Sequence, residues 1–316
     1  MTILATNRVS SNLNYLLDKE LLIIMSKPQK ITKAVFPVAG LGTRFLPSTK
    51  ASPKEMLPIV DKPLIQYAAE EAVKAGITEL VFITGRNKRS IEDHFDRNPE
   101  LEAELIDKSK HEMLKLTQDI LPDNVKCIYI RQSTPLGLGH AVLCAQPVVN
   151  KEPFAVILAD ELLDSAPGAL SQMMEIYNET GSSVLGVYEI NKKDVSSYGI
   201  IKTEKDFASY SKIERMIEKP KIEDAPSNLA AIGRYILTPR IMNELTKTKR
   251  GAGGEIQLTD AICNLLKHED IFAKKIDGIR YDCGSKLGYL EATIGLGLKH
   301  LETSDGLKKY IRNLSF

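Results

Sequence analysis

The chain has 316 residues, of which 43% are hydrophobic and 26% charged, and its formal net charge is +1. Such a chain can bury one large hydrophobic core or two smaller ones. The near-neutral charge argues against a broad nucleic-acid-binding surface, which needs a strongly basic face, so an anionic ligand must be met by a local group of cations.

Cysteines and apolar runs restrict the class of protein further. The four cysteines form no CxxC pair and are Cys127, Cys144, Cys263 and Cys283. They indicate neither a zinc site nor a redox motif, and we expect reduced, mostly buried thiols. No apolar run approaches the about 20 residues that span a membrane, and the run at 21–25 is too short for a signal peptide. We therefore expect a cytoplasmic protein without a membrane or nucleic-acid partner.

Three parts of the chain differ in character. Residues 1–30 are interpreted as an N-terminal extension, with one short amphipathic segment near Leu13 and Leu17. The sequence Met25-Ser26-Lys27 resembles a translation start, so we hypothesise that residues 1–24 are not native. Residues 31–301 are predicted to form one domain, and residues 302–316 a C-terminal tail.

Strands and helices alternate from Lys33 onward. Apolar runs and alternating patterns predict strands at 34–38, 79–84, 125–131, 154–158, 183–189, 213–217 and 229–237. Amphipathic patterns and terminal glycines predict helices at 64–75, 100–119, 168–180, 257–266 and 287–301. The alternation predicts an α/β fold that is Rossmann-like and doubly wound. We expect a mostly parallel mixed sheet with helices on both faces and a helical C-terminal part.

A glycine-rich loop follows the first predicted strand and contains Ala39, Gly40, Gly42 and Thr43. Ligands bind at the carboxyl ends of strands in open α/β sheets, and glycines there let backbone amides approach a phosphate. A dinucleotide fingerprint would need a third glycine where Phe45 stands and an acid after the second strand, and a Walker loop is absent. A nicotinamide dehydrogenase is therefore disfavoured.

The continuation of this loop carries Arg44, Lys50 and Lys54 in a segment with three prolines. Prolines stiffen a loop, so its cations are held in place for an anion. A guanidinium and two ammonium groups beside exposed backbone amides suit a triphosphate, although a solvated basic loop is the alternative.

Three neighbouring segments resemble the signature of the sugar-nucleotide pyrophosphorylases: Gly40-Leu41-Gly42-Thr43-Arg44, Pro53-Lys54-Glu55-Met56-Leu57-Pro58 and Asp61-Lys62-Pro63-Leu64-Ile65-Gln66-Tyr67. Within that sugar nucleotidyltransferase family, the sequence from about residue 31 to 301 is similar to those of the bacterial UDP-glucose pyrophosphorylases. The resemblance implies UTP and glucose 1-phosphate as ligands, Mg²⁺ as cofactor, and a homo-oligomer (dimer or tetramer). We expect Arg44 and Lys54 to be catalytic, and Glu55 to bind the nucleotide together with the glycine-rich loop.

Gln132 ends a predicted strand shortly before Gly137. A glutamine amide places a donor beside an acceptor, which matches the imide edge of uracil. Thymine presents the same edge, so UTP and dTTP both stay open. The resemblance implies that Gln132 and Gly137 bind the nucleotide, whereas His140 is interpreted as a structural partner at a helix start.

Two aspartates from distant parts of the chain, Asp160 and Asp282, each follow a strand-like run. Such carboxylates can hold a Mg²⁺ ion that takes its other oxygens from phosphate and water, although single aspartates are more often turn residues. The resemblance implies that both are metal ligands. The family usually has Leu-Pro-Asp where this chain has Leu158-Ala159-Asp160, and the following Glu161 is left without an assigned role.

The resemblance also indicates where a sugar phosphate binds. It implies that Glu218 bonds glucose hydroxyls, that catalytic Lys219 meets the sugar phosphate, and that Gly199, Gly233 and Glu255 line the sugar site. An exposed salt-bridged edge is the alternative for Glu218 and Lys219, and a helix N-terminal acid for Glu255. Asp260 is interpreted as structural.

The expected reaction is an in-line displacement at the α-phosphorus of UTP by the phosphate of glucose 1-phosphate, which yields UDP-glucose and pyrophosphate. The nucleophile is already an anion, so no general base is required. A thymidylyltransferase on the same scaffold and a non-catalytic sugar-nucleotide-binding homologue are the alternatives.

Overall fold

The computed structural model describes residues 28–205 and 209–315. The amphipathic N-terminal segment and the hypothesis about residues 1–24 lie outside the described part of the chain. Thirteen strands and eleven helices are present in that part.

The strands are β1 (Lys33–Pro37), β2 (Pro58–Ile59), β3 (Lys62–Pro63), β4 (Glu79–Thr84), β5 (Lys126–Arg131), β6 (Phe154–Ile157), β7 (Glu161–Asp164), β8 (Ser183–Glu189), β9 (Gly199–Thr203), β10 (Ser211–Glu218), β11 (Leu229–Leu237), β12 (Ile271–Lys275) and β13 (Ile279–Asp282). The helices are α1 (Leu64–Lys74), α2 (Arg89–Phe95), α3 (Pro99–Asp107), α4 (His111–Gln118), α5 (Leu138–Cys144), α6 (Gln146–Val149), α7 (Ala169–Thr180), α8 (Arg240–Lys247), α9 (Leu258–Leu265), α10 (Lys286–Gly297) and α11 (Ser304–Arg312).

Nine strands form one mixed sheet in the order β5-β4-β1-β6-β11-β8-β12-β10-β9. The pairs β5–β4, β4–β1, β1–β6 and β8–β12 are parallel. The pairs β6–β11, β11–β8, β12–β10 and β10–β9 are antiparallel. The α/β class is therefore as expected, but the neighbouring pairs divide equally between the two directions. Hydrophobic periodicity carries no information on strand direction, so the sequence could not show where the direction changes.

Helices cover both faces of this sheet because the apolar residues of the strands alternate between two cores. In β1, Val35 enters the core beneath α5, α8 and α9, whereas Phe36 enters the core beneath α1, α2 and α7. Successive strand side chains point to opposite faces, so a fully apolar strand fills both cores. Of the cysteines, Cys283 is buried and the other three are half-buried.

One of the differences from the predicted helices has a local cause. The predicted helix at 100–119 is divided into α3 and α4, because Ser109 adopts a φ of 52° and the Lys110 amide donates to the Leu105 carbonyl at 2.8 Å. This 6→1 bond closes α3 as a Schellman motif closes a helix, usually with glycine in place of Ser109. The predicted C-terminal tail contains the helix α11, which was not predicted.

Helix length also bears on membrane association. Throughout the described ranges, no helix has the length and apolar character needed to cross a membrane.

Phe82 lies at the centre of an aromatic stack within the sheet. Its ring centroid is 4.9 Å from that of Phe36, 5.1 Å from that of Phe95 and 5.5 Å from that of Tyr129. Phe82 is fully buried. Its ring contacts join residues of β1, β4, β5 and α2 in one core.

We expect Phe82→Ala to lower the free energy of unfolding by about 3–5 kcal/mol, since it removes a fully buried ring and leaves a cavity. Urea denaturation followed by circular dichroism measures this change. Leu301, which is 98% exposed, provides the control: Leu301→Ala should change stability by less than about 0.5 kcal/mol. Equal stability of the two variants would contradict the assignment of Phe82 to the core.

Candidate active site

The two predicted metal ligands meet because a small two-stranded sheet joins β7 to β13. Its antiparallel register pairs Asp282 with Glu161, so the adjacent Asp160 lies beside Asp282. A Cβ atom built on Gly284 would stand 3.0 Å from Asp282 Oδ1, 3.1 Å from Asp160 Oδ2 and 3.2 Å from Arg44 Nη1. Both carboxylates and the guanidinium thus surround one point beside a glycine.

Lys54 holds the Asp160 carboxylate through a 2.5 Å contact between Nζ and Oδ2. Burial disfavours ionised Asp160, but the Lys54 ammonium outweighs it and keeps the pKa of the Asp160 carboxyl below its usual range. Burial likewise opposes the charge on Lys54, yet Asp160 and Glu55 raise the pKa of its ammonium. Both groups therefore carry charge at neutral pH.

The glycine-rich loop is largely exposed, and one of its carbonyls is held by a side-chain hydrogen bond. Gly42 has a φ of 65°, and its carbonyl accepts a 2.7 Å hydrogen bond from the Thr49 hydroxyl. A turn of 3₁₀ helix at Thr43–Phe45 follows, and Arg44 Nη1 reaches the Gly284 carbonyl at 3.3 Å. Gly40 and Thr43 are exposed. An exposed loop of this kind leaves amide and guanidinium groups available to an anion.

Glu55 lies beneath this loop. Its carboxylate accepts a 2.7 Å hydrogen bond from Lys88, and the two side chains are 2% and 5% exposed. Burial raises the pKa of the Glu55 carboxyl, although Lys88 and Lys54 oppose the shift. The pair links the segment after β1 to the segment after β4, where Gly85 lies close enough to Ala39 that a Cβ would stand 3.0 Å from its carbonyl oxygen.

Tyr198 and Arg280 support the aspartates and were not predicted as functional residues. The Tyr198 hydroxyl donates to Asp282 Oδ2 at 3.0 Å, while the Gly284 amide donates to Asp282 Oδ1 at 3.0 Å. The Arg280 guanidinium lies 4.8 Å from the Tyr198 ring centroid and donates twice to Glu161, at 2.7 and 2.8 Å. Glu161 is therefore the ion-pair partner of Arg280.

Glu218 and Gly199 are register partners at the paired ends of β10 and β9. The Thr259 hydroxyl donates to Glu218 Oε2 at 2.6 Å, and a Cβ on Gly199 would stand 3.2 Å from that oxygen. Lys219 has a φ of 43°, which is uncommon for a residue with a side chain. Its side chain is 53% exposed, and its ammonium lies 3.5 Å from Glu218 Oε1, so the two residues form an ion pair.

Gln132 is buried at the end of β5. Its Nε2 atom contacts His140 Nδ1 at 2.9 Å and donates to the Gly137 carbonyl at 3.3 Å. Both neighbours thus orient the Gln132 amide. The sequence did not indicate this contact for His140.

The segment that contains Glu255 packs directly on the segment that contains Gly137. Gly137 has a φ of 102°, and a Cβ on it would stand 2.6 Å from Glu255 Cβ. The Gly139 amide donates to the Ile256 carbonyl at 2.8 Å, and Gln257 Nε2 donates to the exposed carboxylate of Glu255 at 3.3 Å. Only glycine fits at position 137.

A cleft of about 830 Å³ collects many of the predicted site residues. Both predicted metal ligands line it, as do two of the three predicted catalytic residues, Arg44 and Lys219. All four predicted sugar-binding residues line it too: Gly199, Glu218, Gly233 and Glu255. The predicted nucleotide-binding residues, which are Ala39, Gly40, Gly42, Thr43, Glu55, Gln132 and Gly137, do not line it; several lie on loops at the ends of β1 and β5.

Two carboxylates are the metal-binding groups that this site offers. No cluster of three or more His, Cys, Asp or Glu side chains suited to a metal occurs among residues 28–205 and 209–315. Asp160 and Asp282 supply hard oxygen donors, which suit Mg²⁺ when substrate phosphates and water complete its coordination.

Known proteins resemble this chain in sequence and in structure. The nucleotidyl transferase family model matches residues 33–296. The UTP–glucose-1-phosphate uridylyltransferase YngB of Bacillus subtilis (strain 168) is 51% identical over 286 residues, which are 90% of this chain and 96% of the relative. A UTP-bound UGPase from Acinetobacter baumannii has a TM-score of 0.85 at 43% identity, over 90% of this chain and 100% of that one. A UDP-glucose pyrophosphorylase complexed with UDP-glucose has a TM-score of 0.79 at 48% identity, over 86% and 100%.

We expect Lys88→Met to lower the free energy of unfolding by about 3–5 kcal/mol, because it leaves the Glu55 carboxylate buried without its partner. The double variant Lys88→Met/Glu55→Leu should recover at least half of that loss. Chemical denaturation of the three proteins measures both effects.

The exposed pair Lys108–Glu104 supplies the matched control, since Lys108→Met should cost less than about 1 kcal/mol. A stability of Lys88→Met equal to that of Lys108→Met would show that the buried pair does not hold the loop.

Proposed function

The chain belongs to the nucleotidyl transferase family, and we propose that it transfers the uridylyl group of UTP to glucose 1-phosphate, which yields UDP-glucose and pyrophosphate. The observation that carries the proposal is the meeting of Asp160, Asp282 and Arg44 beside Gly284. The likeness to structures with UTP and with UDP-glucose bound supports this choice of ligands.

The cations of the site account for catalysis by charge neutralisation. Arg44 stabilises the negative charge that develops on the leaving pyrophosphate, and Lys54 contacts the phosphates from its place beside Asp160. Lys219 brings the sugar phosphate to the triphosphate against their mutual repulsion. Because the attacking oxygen is already anionic, aligned cations replace a general base.

Asp160 and Asp282 would hold a Mg²⁺ ion, which on binding neutralises phosphate charge and orients the triphosphate. The chain's own contribution is to hold both carboxylates in place. Lys54 does so for Asp160, and Tyr198 with the Gly284 amide does so for Asp282.

Glucose is proposed to bind between the ends of β9 and β10 and the segment at Glu255. Glu218 would accept hydrogen bonds from sugar hydroxyls, with Thr259 fixing its orientation. Gly199 and Gly233 line the proposed sugar site, and neither position accepts a side chain: a Cβ would stand 2.5 Å from Met216 Cε at the first and 2.8 Å from Leu158 at the second.

Uracil is proposed to be recognised by Gln132, whose amide is oriented by His140 and Gly137. Glu55 contributes to nucleotide binding through its ion pair beneath the glycine-rich loop.

A cytoplasmic homo-oligomer stays a prediction, and light scattering after gel filtration would measure the size of the oligomer. Thymidylyl transfer is the second candidate, because thymine presents the same imide edge, but the similar relatives named for UTP favour uridylyl transfer.

We expect Arg44→Ala to lower kcat by about 100-fold or more, since removal of one donor to a developing oxyanion costs about 10²–10³ in rate. Steady-state pyrophosphate release measures the loss, and circular dichroism checks that the fold is intact. Arg89 is 87% exposed in its side chain, so Arg89→Ala should keep wild-type turnover. Unchanged turnover in Arg44→Ala would contradict the role of Arg44.

We expect kcat/KM to be higher with UTP than with dTTP when glucose 1-phosphate is the second substrate. Parallel pyrophosphate-release assays of the wild-type protein with each nucleotide measure the ratio. Equal or greater turnover with dTTP would replace uridylyl transfer by thymidylyl transfer.

A further inference from the structure

Arg234 lies behind the turn that carries Asp160. It is a residue of β11 with only 1% of its surface exposed. Its Nη1 atom donates to the Leu158 carbonyl at 2.9 Å, and its Nη2 atom donates to the Glu161 carbonyl at 2.8 Å. One guanidinium therefore holds the backbone on both sides of Asp160.

Glu71 in α1 neutralises this arginine. Its carboxylate accepts from Arg234 Nη2 at 2.8 Å and from Nε at 3.1 Å, across 163 residues of sequence. The same carboxylate accepts from the Leu170 amide in the first turn of α7 at 3.0 Å. The pair thus ties α1, α7 and β11 to the Asp160 turn.

The surrounding chain makes room for the pair with glycines. A Cβ on Gly186 of β8 would stand 3.1 Å from Arg234 Cβ, and one on Gly168 would stand 3.3 Å from Glu71 Cγ. The neighbouring Gly233, with a φ of 68°, approaches Leu158 and accepts its amide hydrogen bond at 2.9 Å. The interior is therefore built around a charged pair at this point.

Stability alone gives little reason for such a pair, because apolar residues of similar volume often stabilise an interior as well or better. Apolar side chains could not donate to the Leu158 and Glu161 carbonyls. The turn Leu158-Ala159-Asp160-Glu161 has no proline to restrict it. An apolar replacement would remove the hydrogen bonds that Arg234 donates to these two carbonyls.

We propose that Arg234, held by Glu71, is a positioning residue that fixes the Asp160 carboxylate for a divalent cation and for Lys54. This inference rests on the proposed function only in assigning a cation to Asp160. Partners that orient a metal ligand typically contribute about 10–100-fold to metal affinity.

The test uses Arg234→Met/Glu71→Leu, which removes both charges and leaves neither one buried alone. Mn²⁺ binding in the presence of UTP, without sugar phosphate, is followed by electron paramagnetic resonance. We expect about 10–100-fold weaker binding in a cooperatively folded protein. Hydrogen exchange at the Leu158 and Glu161 amides should accelerate. Arg234→Lys keeps one charge and should fall between this variant and the wild type.

Lys33 provides the matched control, because it is a buried cation paired with Glu79 and Glu152 at the start of β1. Lys33→Met should change neither Mn²⁺ affinity nor exchange in the Asp160 turn. Wild-type Mn²⁺ affinity and wild-type exchange in the double variant would overturn the inference, as would unchanged Mn²⁺ affinity in Asp160→Asn. Failure of the proposed function appears separately, as absence of UDP-glucose formation by the wild-type protein.

Discussion

Two carboxylates that face one point repel each other, and the site exists because other groups offset this repulsion. The register of β7 with β13 brings Asp160 beside Asp282, and each then receives its own compensation. Lys54 neutralises Asp160, whereas the Tyr198 hydroxyl and the Gly284 amide donate to Asp282. Opposite charge and hydrogen bonding both favour the ionised form of a carboxyl. At Asp160, burial alone would raise the pKa of the carboxyl, but the Lys54 ammonium outweighs burial and lowers that pKa.

Neighbouring residues of the short 3₁₀ turn Lys54–Met56, which follows the glycine-rich loop, extend in opposite directions. Lys54 extends to Asp160 at the cleft, while Glu55 extends into the interior and pairs with Lys88. The buried pair fixes the loop from below, so the position of the Lys54 ammonium depends on a contact that no ligand touches. Rigid support of this kind is how a loop places a charge for a substrate.

Local patterns predicted the elements and the loops of the site, but not the contacts between them. The strands at 79–84, 183–189 and 229–237 have the predicted bounds, because each is an apolar run closed by polar or turn residues. The glycine-rich loop and Asp160 were singled out because each follows such a strand, whereas a metal-binding role for Asp160 was implied by the family resemblance. Arg280 and Glu161 are 119 residues apart and Lys88 and Glu55 are 33 apart, so their pairing has no periodic signal. The division at Ser109 was missed because serine seldom takes the conformation that glycine supplies at a helix end.

Lys219 combines a position in the cleft with an unfavourable backbone conformation. Its φ of 43° costs a residue with a side chain about 1–3 kcal/mol relative to glycine. Selection for thermal tolerance alone would therefore favour glycine or asparagine at this position and would discard the ammonium that we propose meets the sugar phosphate. A heat-adapted descendant of this enzyme would have to gain its stability elsewhere in the chain, so position 219 marks a limit on how far its robustness can be improved without loss of turnover.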